Sequence, residues 1–445
     1  MSSAKSIQPT RLLAHLLLIT ALFFALTVSA VRATEIQKIT SPGGIKAWLV
    51  EEHGVPLISM RFAFKGSGSA QDIEGKEGLA NLMSGLLDEG AGELTSQAFQ
   101  EKLEDLSITI KFDAGRDSFG GTLNTLTMNR DEAFDLLALA VNEPRFDEKP
   151  VDRIRTQIIT SIKRSEKDPN TVAGRAFSRV LFAGHPYERP NNGSKESLEA
   201  ITRDDLIAFH GRALARDNLN IGVVGDITAE ELGIYLDKVF LNLPEKAELS
   251  EVAEIEPPVG VSEAIDLDVP QTVIRFALPG LKRHDPDFFP AFVMAHILGG
   301  GTFSSWLYEE VREKRGLAYG ISADLSLYEH AGLLAGGTAT RTENTEQTVE
   351  IIKQQLQRMA TEGPTQAELD AAQKYLTGSY ALRFDTSGKI AGQLLGIQLN
   401  DLGSDYIDTR NDKVRNVTLE DVKRVAKRLL TDKEPSFITV GRVNS

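Results

Sequence analysis

Apolar and polar positions alternate in short runs along the chain, and longer stretches with helical spacing separate those runs. Residues 45–50, 58–64 and 109–112 in the first half, and 273–277, 318–327 and 333–338 in the second, predict strands. Residues 76–87 and 348–359 have the longer helical pattern. Tyr319 shares strand parity with Leu317, Ile321, Ala323 and Leu325, so alternation places it in the core. Arg312 lies on a charged stretch between Glu309 and Glu313, stopped by Gly316, and reads as a solvated helix residue. The mixed order of elements predicts an α+β fold with helices on one face of a mostly antiparallel sheet.

The pattern also repeats. Ile201-Thr-Arg-Asp-Asp-Leu206 matches Val417-Thr-Leu-Glu-Asp-Val422, each a threonine cap, acidic residues and an amphipathic helix. The buried run ending at Gly225 matches the one ending at Gly441, and both pairs are 216 positions apart (417 − 201, 441 − 225). Asn129 and Asn344, each before a helical run, are displaced by 215. Three ordered matches predict two homologous domains, 34–242 and 263–445, each large enough for its own core. Between them, 243–262 is acidic, bounded by Pro244 and the Pro257-Pro258 pair, and reads as an extended linker.

The N-terminus follows a different rule. Lys5 and Arg11 precede an apolar run from Leu12 to Val28, and small-residue cleavage candidates end at Ala30 and Ala33. This is the pattern of a secretory signal peptide over 1–33, with a retained anchor as the alternative. Cleavage after Ala33 removes three basic residues and leaves 46 against 63 acidic ones, a net charge of −17 in place of −14. The expected location is a bacterial periplasm, with no stable membrane anchor after cleavage.

Composition narrows the chemistry. The chain of 445 residues is 41% hydrophobic and 25% charged, which excludes disorder, collagen and coiled coil. Its acidic balance, with no long basic run, argues against nucleic acid as a partner. The absence of cysteine removes disulfides, thiolate metal sites and a cysteine nucleophile. Seven histidines are present, none spaced three to five residues from another as a helical zinc pair requires. His185, before Pro186, and His296, on an apolar helix, read as structural. No nucleophile elbow, phosphate-binding loop or dinucleotide fingerprint is found. Gly299-Gly300-Gly301, before Thr302, forms the one glycine cluster, either a loop that another chain approaches or a helix-to-helix turn.

The strings "LGGGTFSSWLYEEVREKRGLAYG" (298–320), "FAGHPYERPNNGSKESLEAITRDDLIAFH" (182–210) and "NLNIGVVGDIT" (218–228) resemble the zinc metallopeptidases of the insulinase and pitrilysin type, which include mitochondrial processing peptidase. The resemblance implies two α+β domains facing each other as a clamshell around an extended peptide. The family's H-x-x-E-H motif falls on Gly78-Leu-Ala-Asn-Leu-Met-Ser-Gly85, so Asn81 and Gly85 replace the histidines and Ser84 the glutamate. The distal carboxylate ligand falls near Thr160. With those groups gone, nothing holds a metal to acidify a water and nothing takes its proton. The family's substrate-positioning pair matches Arg312 and Tyr319, and the glycine run with Thr302 matches a substrate-contacting loop. The pattern resembles the non-zinc subunit of two-chain members, and implies an exported peptide-binding partner, without a cofactor of its own, for a zinc-bearing H-x-x-E-H subunit. A structural scaffold of the same fold is the main alternative, and an autonomous hydrolase built on other carboxylates is a third.

Overall fold

A computed structural model describes residues 35–301 and 303–442. The signal-peptide segment 1–33 and Thr302 lie outside the described residues. The first half contributes strands β1 (Gln37–Thr40), β2 (Lys46–Glu51), β3 (Leu57–Lys65), a short pair β4 (Gly90–Ala91) and β5 (Leu94–Thr95), then β6 (Thr109–Ala114), β7 (Ser118–Leu126) and β8 (Leu219–Gly225). The second contributes β9 (Ser262–Asp266), β10 (Gln271–Pro279), β11 (Ala318–Leu327), β12 (Gly332–Arg341) and β13 (Ser436–Gly441).

Two large sheets result, ordered β1-β2-β8-β3-β7-β6 and β11-β12-β10-β13-β9. Without β1, the first order matches the second strand for strand, and each sheet has one parallel pair, β2 with β8 and β9 with β13. The other pairings are antiparallel. The repeated threonine signals are capping boxes at Thr202 and Thr418, each closed by an aspartate three residues on. Each half has its own apolar core, the first around Phe62, Phe64, Phe119 and Phe240, the second around Phe276, Trp306 and Val311. Burying such aromatics stabilises each half by roughly 1.5–3 kcal/mol per side chain.

A feature that periodicity does not carry is the exchange of helices between halves. Pro169–Leu181, from the first half, packs on β10 and β13, where Ala173 and Ala176 meet Val273, Ile438 and Val440. Ser387–Leu399, from the second half, packs on β3 and β8. The latter helix comes so close that a Cβ on Gly222 of β8 would stand 2.7 Å from the Ala391 carbonyl oxygen, so only glycine fits. Gln398 also donates to the Ile221 carbonyl at 2.9 Å.

Two expectations need correction. The pattern over 76–87 gives a helix of Leu79–Ser84 only, because Gly78 adopts φ 92° before it and Gly85 caps it. In β11, the register with β12 shifts between Ala318 and Ile321, so one extra residue is inserted there. This bulge turns Tyr319 out of the core alternation, and the residue is 88% exposed while Ile321 and Ala323 stay buried.

Candidate functional site

The helix Leu79–Ser84 is held at its start by Asp72, whose carboxylate accepts from the Gly78 and Ala80 N–H groups at 2.8 and 2.9 Å. Burial pushes the Asp72 carboxyl up to about 7, outweighing these donors. Asn81 is half-buried, and the buried Ser84 hydroxyl donates to the Asn81 carbonyl at 2.8 Å. A Cβ on Gly85 would meet Ile154 Cγ2 at 3.1 Å, on the helix Glu148–Ser165. Thr160, six residues further on that helix, lies about 120° round from Ile154. It is exposed, and its hydroxyl donates to the Thr156 carbonyl of its own helix. None of the four positions offers an imidazole or a carboxylate, so a zinc site of the H-x-x-E-H kind does not fit them. Among the described residues, no three His, Cys, Asp or Glu side chains converge as a metal-binding group.

Arg312 has a more defined setting. The helical turn Trp306–Tyr308 widens into a π-helical turn over Glu309–Glu313, and the guanidinium stacks between two rings. It lies 4.8 Å from the Tyr308 ring and 4.9 Å from that of Tyr319. Its ion pair with Glu313 is long, at 3.8 Å. Phe303, 77% exposed, meets Tyr308 edge-on at 5.4 Å. The structure thus joins Arg312 and Tyr319 in one cation–aromatic stack, half-buried at its centre and open at the Tyr319 end. The sequence pattern does not mark Phe303 or Tyr308, although Tyr308 and Arg312 are four apart and share a helical face.

The glycine run continues the apolar helix Phe288–Ala295 as a widened turn, His296–Gly300, packed on β11. A Cβ on Gly299 would stand 2.4 Å from the Ala323 nitrogen, and one on Gly300 would stand 2.5 Å from an Asp324 carboxylate oxygen. A Cβ on Gly301 would stand 3.1 Å from His296 Nε2, and both Gly299 and Gly301 are buried. His296 itself is buried and stacked on Tyr375 at 5.1 Å, with burial lowering its pKa.

His185 and Tyr187 tie the halves together. His185 Nε2 donates to the Ala253 carbonyl of the linker at 2.9 Å, and its Nδ1 accepts from the Tyr187 N–H. The fully buried Tyr187 donates its hydroxyl to the Asp117 carboxylate and accepts from the His330 N–H at 3.2 Å. Burial, reinforced by Asp117, raises the Tyr187 pKa. Around it pack Phe182 and Leu181 from one half and Ala331 and Leu333 from the other.

Between the helix Pro169–Leu181 and the inner faces of β10, β11 and β12 lies a cavity of about 1440 Å³. Ser322, Asp324 and Ser326 of β11 line it, but Asn81, Ser84, Gly85, Thr160, Arg312 and Tyr319 do not. Burial raises the Asp324 pKa.

A family model described as insulinase (peptidase family M16) matches residues 64–194, and one described as the peptidase M16 inactive domain matches 200–376. The chain is similar to the non-peptidase homolog YmxG of Helicobacter pylori, at 27% identity over 92% of this chain and 94% of that one. It is also similar to an uncharacterized zinc protease of Mycobacterium leprae, at 26% identity over 90% and 91%. Among solved structures, a peptidase M16 inactive domain from Pseudomonas fluorescens superposes with a TM-score of 0.86 at 28% identity, covering 92% of this chain and 98% of that one.

Proposed function

Because the chain belongs to the insulinase (M16) peptidase family and lacks its H-x-x-E-H motif, we propose that it is the non-catalytic subunit of a heteromeric zinc metallopeptidase. In this reading it is exported to the periplasm by residues 1–33 and binds extended peptides. It lends Arg312 and Tyr319 to a zinc-bearing H-x-x-E-H subunit.

The observation that carries the reading is the open stack of Tyr308, Arg312 and Tyr319. A tyrosine that is 88% exposed contributes little to this chain's own core, and its hydroxyl is free to reach a substrate held by a second subunit. Stacking pre-orients the guanidinium, which donates to a peptide carbonyl, while the Tyr319 hydroxyl donates to the oxyanion formed as water attacks the scissile carbon. Docking of a partner would exclude water from the stack and strengthen both donors. The zinc and general base belong to the partner in this scheme.

Arg312→Ala combined with Tyr319→Phe tests it in the assembled complex. Loss of one oxyanion donor costs about 10²–10³ in kcat, so peptide cleavage should fall by at least that factor while the subunits still co-elute. Unchanged cleavage would favour the scaffold reading, which the buried, packing-determined glycines 299 and 301 support.

A further inference from the structure

The cavity between the halves has a charge opposite to that of the chain. The protein carries −14 overall, yet five arginines and three carboxylates line the cavity, a balance of +2 (5 − 3). Three of those arginines are committed elsewhere. Arg116 donates to the Tyr187 and Arg189 carbonyls and to Ser178, Arg189 donates to the Asp72 carbonyl, and Arg179 pairs with Glu263. Glu77 and Glu188 each accept a nearby backbone N–H.

Arg175 and Arg275 are different. Among the described residues, neither side chain has a hydrogen bond or an ion pair, and the Nε of Arg275 is buried without a partner. Leaving such a donor unmet costs about 1–3 kcal/mol, and both arginines line the cavity, where an acidic ligand would meet them. Arg275 projects from the central strand β10, where its neighbour on β12 is Gly337 and the next residue across, on β11, is Ser322. Ala335 and Ala339 complete a floor of small side chains along β12, beside which Arg275 lines the cavity. Arg175 stands opposite, on the helix Pro169–Leu181. Beside it, a Cβ on Gly174 would meet no atom within 4 Å. At about 1440 Å³, the space exceeds the ~300–1,000 Å³ usual for small-molecule pockets.

We propose that this cavity takes an acidic segment of extended peptide, with Arg275 and Arg175 holding its carboxylates. The proposal rests on the peptide-binding part of the function above and is independent of the partner subunit. Overall charge alone would favour basic peptides, but the two unpaired arginines set the local field, and a guanidinium matches a carboxylate with two parallel donors.

The test is fluorescence anisotropy of the full chain with two labelled, unstructured peptides of equal length, one rich in Glu and Asp, the other with Lys and Arg at those positions. The acidic peptide should bind at least tenfold more tightly, and 0.5 M salt should narrow the gap. Arg275→Gln should weaken acidic-peptide binding about tenfold or more, and Arg175→Gln, on an exposed helix position, severalfold without a folding risk. Free glutamate at millimolar concentration should not displace the peptide. Equal binding of both peptides, or acidic binding unchanged by either variant, overturns the proposal while leaving peptide binding intact. Displacement by free glutamate overturns the peptide as ligand, and no binding of either peptide overturns the peptide-binding reading as well.

Discussion

Replacing Tyr187 by Phe removes a single oxygen from the contact between the two halves and leaves the buried ring in place. That oxygen donates to the Asp117 carboxylate and accepts from the His330 N–H, so two bonds are lost together. Packing against Phe182, centroid to centroid at 5.5 Å, is unchanged, which removes the hydrophobic term from the comparison. Asp117 keeps the Glu329 N–H at 3.2 Å, and the His330 backbone N–H loses only a weak bond of 3.2 Å. The remaining cost is that of one hydrogen bond to a charged acceptor, about 2 kcal/mol. For 445 residues the unfolding entropy is on the order of 0.9 kcal/mol/K, so the Tm should fall by about 2 °C. Calorimetry at a fixed scan rate measures this, with Tyr328→Phe as control because the Tyr328 ring joins the same cluster and its hydroxyl has no partner among the described residues. A Tyr187→Phe protein that melts with the control would refute the assigned role of this contact.

Asp72, with a folded pKa of about 7 against ~3.9 unfolded, is protonated in the folded state over a range where the unfolded chain has released its proton. Its contribution to stability therefore declines as pH rises from about 4 to about 7 and is flat above, by a few kcal/mol in all. Asp72→Asn should flatten that slope in denaturant titrations across the range, and an unchanged slope would contradict the assignment. Gly299→Ala places a methyl group against the Ala323 backbone and should destabilise by about 1–3 kcal/mol. Gly174→Ala, in open space within a helix, should stabilise by up to about 1 kcal/mol, and thermal melts of the pair read both signs.

Local signals were legible in the sequence where their cause is local. Thr202 and Thr418 cap helices through their own aspartates, so the repeated string marks two equivalent helices before any fold is known. His185 reads as structural because Pro186 forces a turn there, and its two nitrogens are both used in holding it. The position of Tyr319 was not legible, since a bulge is an extra residue relative to a partner strand and β12 lies beyond a turn that parity ignores. The exchange of Pro169–Leu181 and Ser387–Leu399 between sheets depends on contacts between segments far apart in the chain, to which a hydrophobic stripe gives no address. The unpaired state of Arg275 is likewise a property of what surrounds it, Gly337 and Ser322, and not of the arginine.

The central claim is that this chain completes a zinc peptidase without being one. Hydrolysis of an unstructured peptide by the purified chain, alone and mixed with an H-x-x-E-H homologue from the same organism, with zinc present throughout, tests it directly. The account expects no cleavage by the chain alone and cleavage by the mixture above that of the homologue. Chelator-sensitive cleavage by this chain alone, surviving purification, would contradict it and return Asn81, Ser84 and Gly85 to question as a dead site.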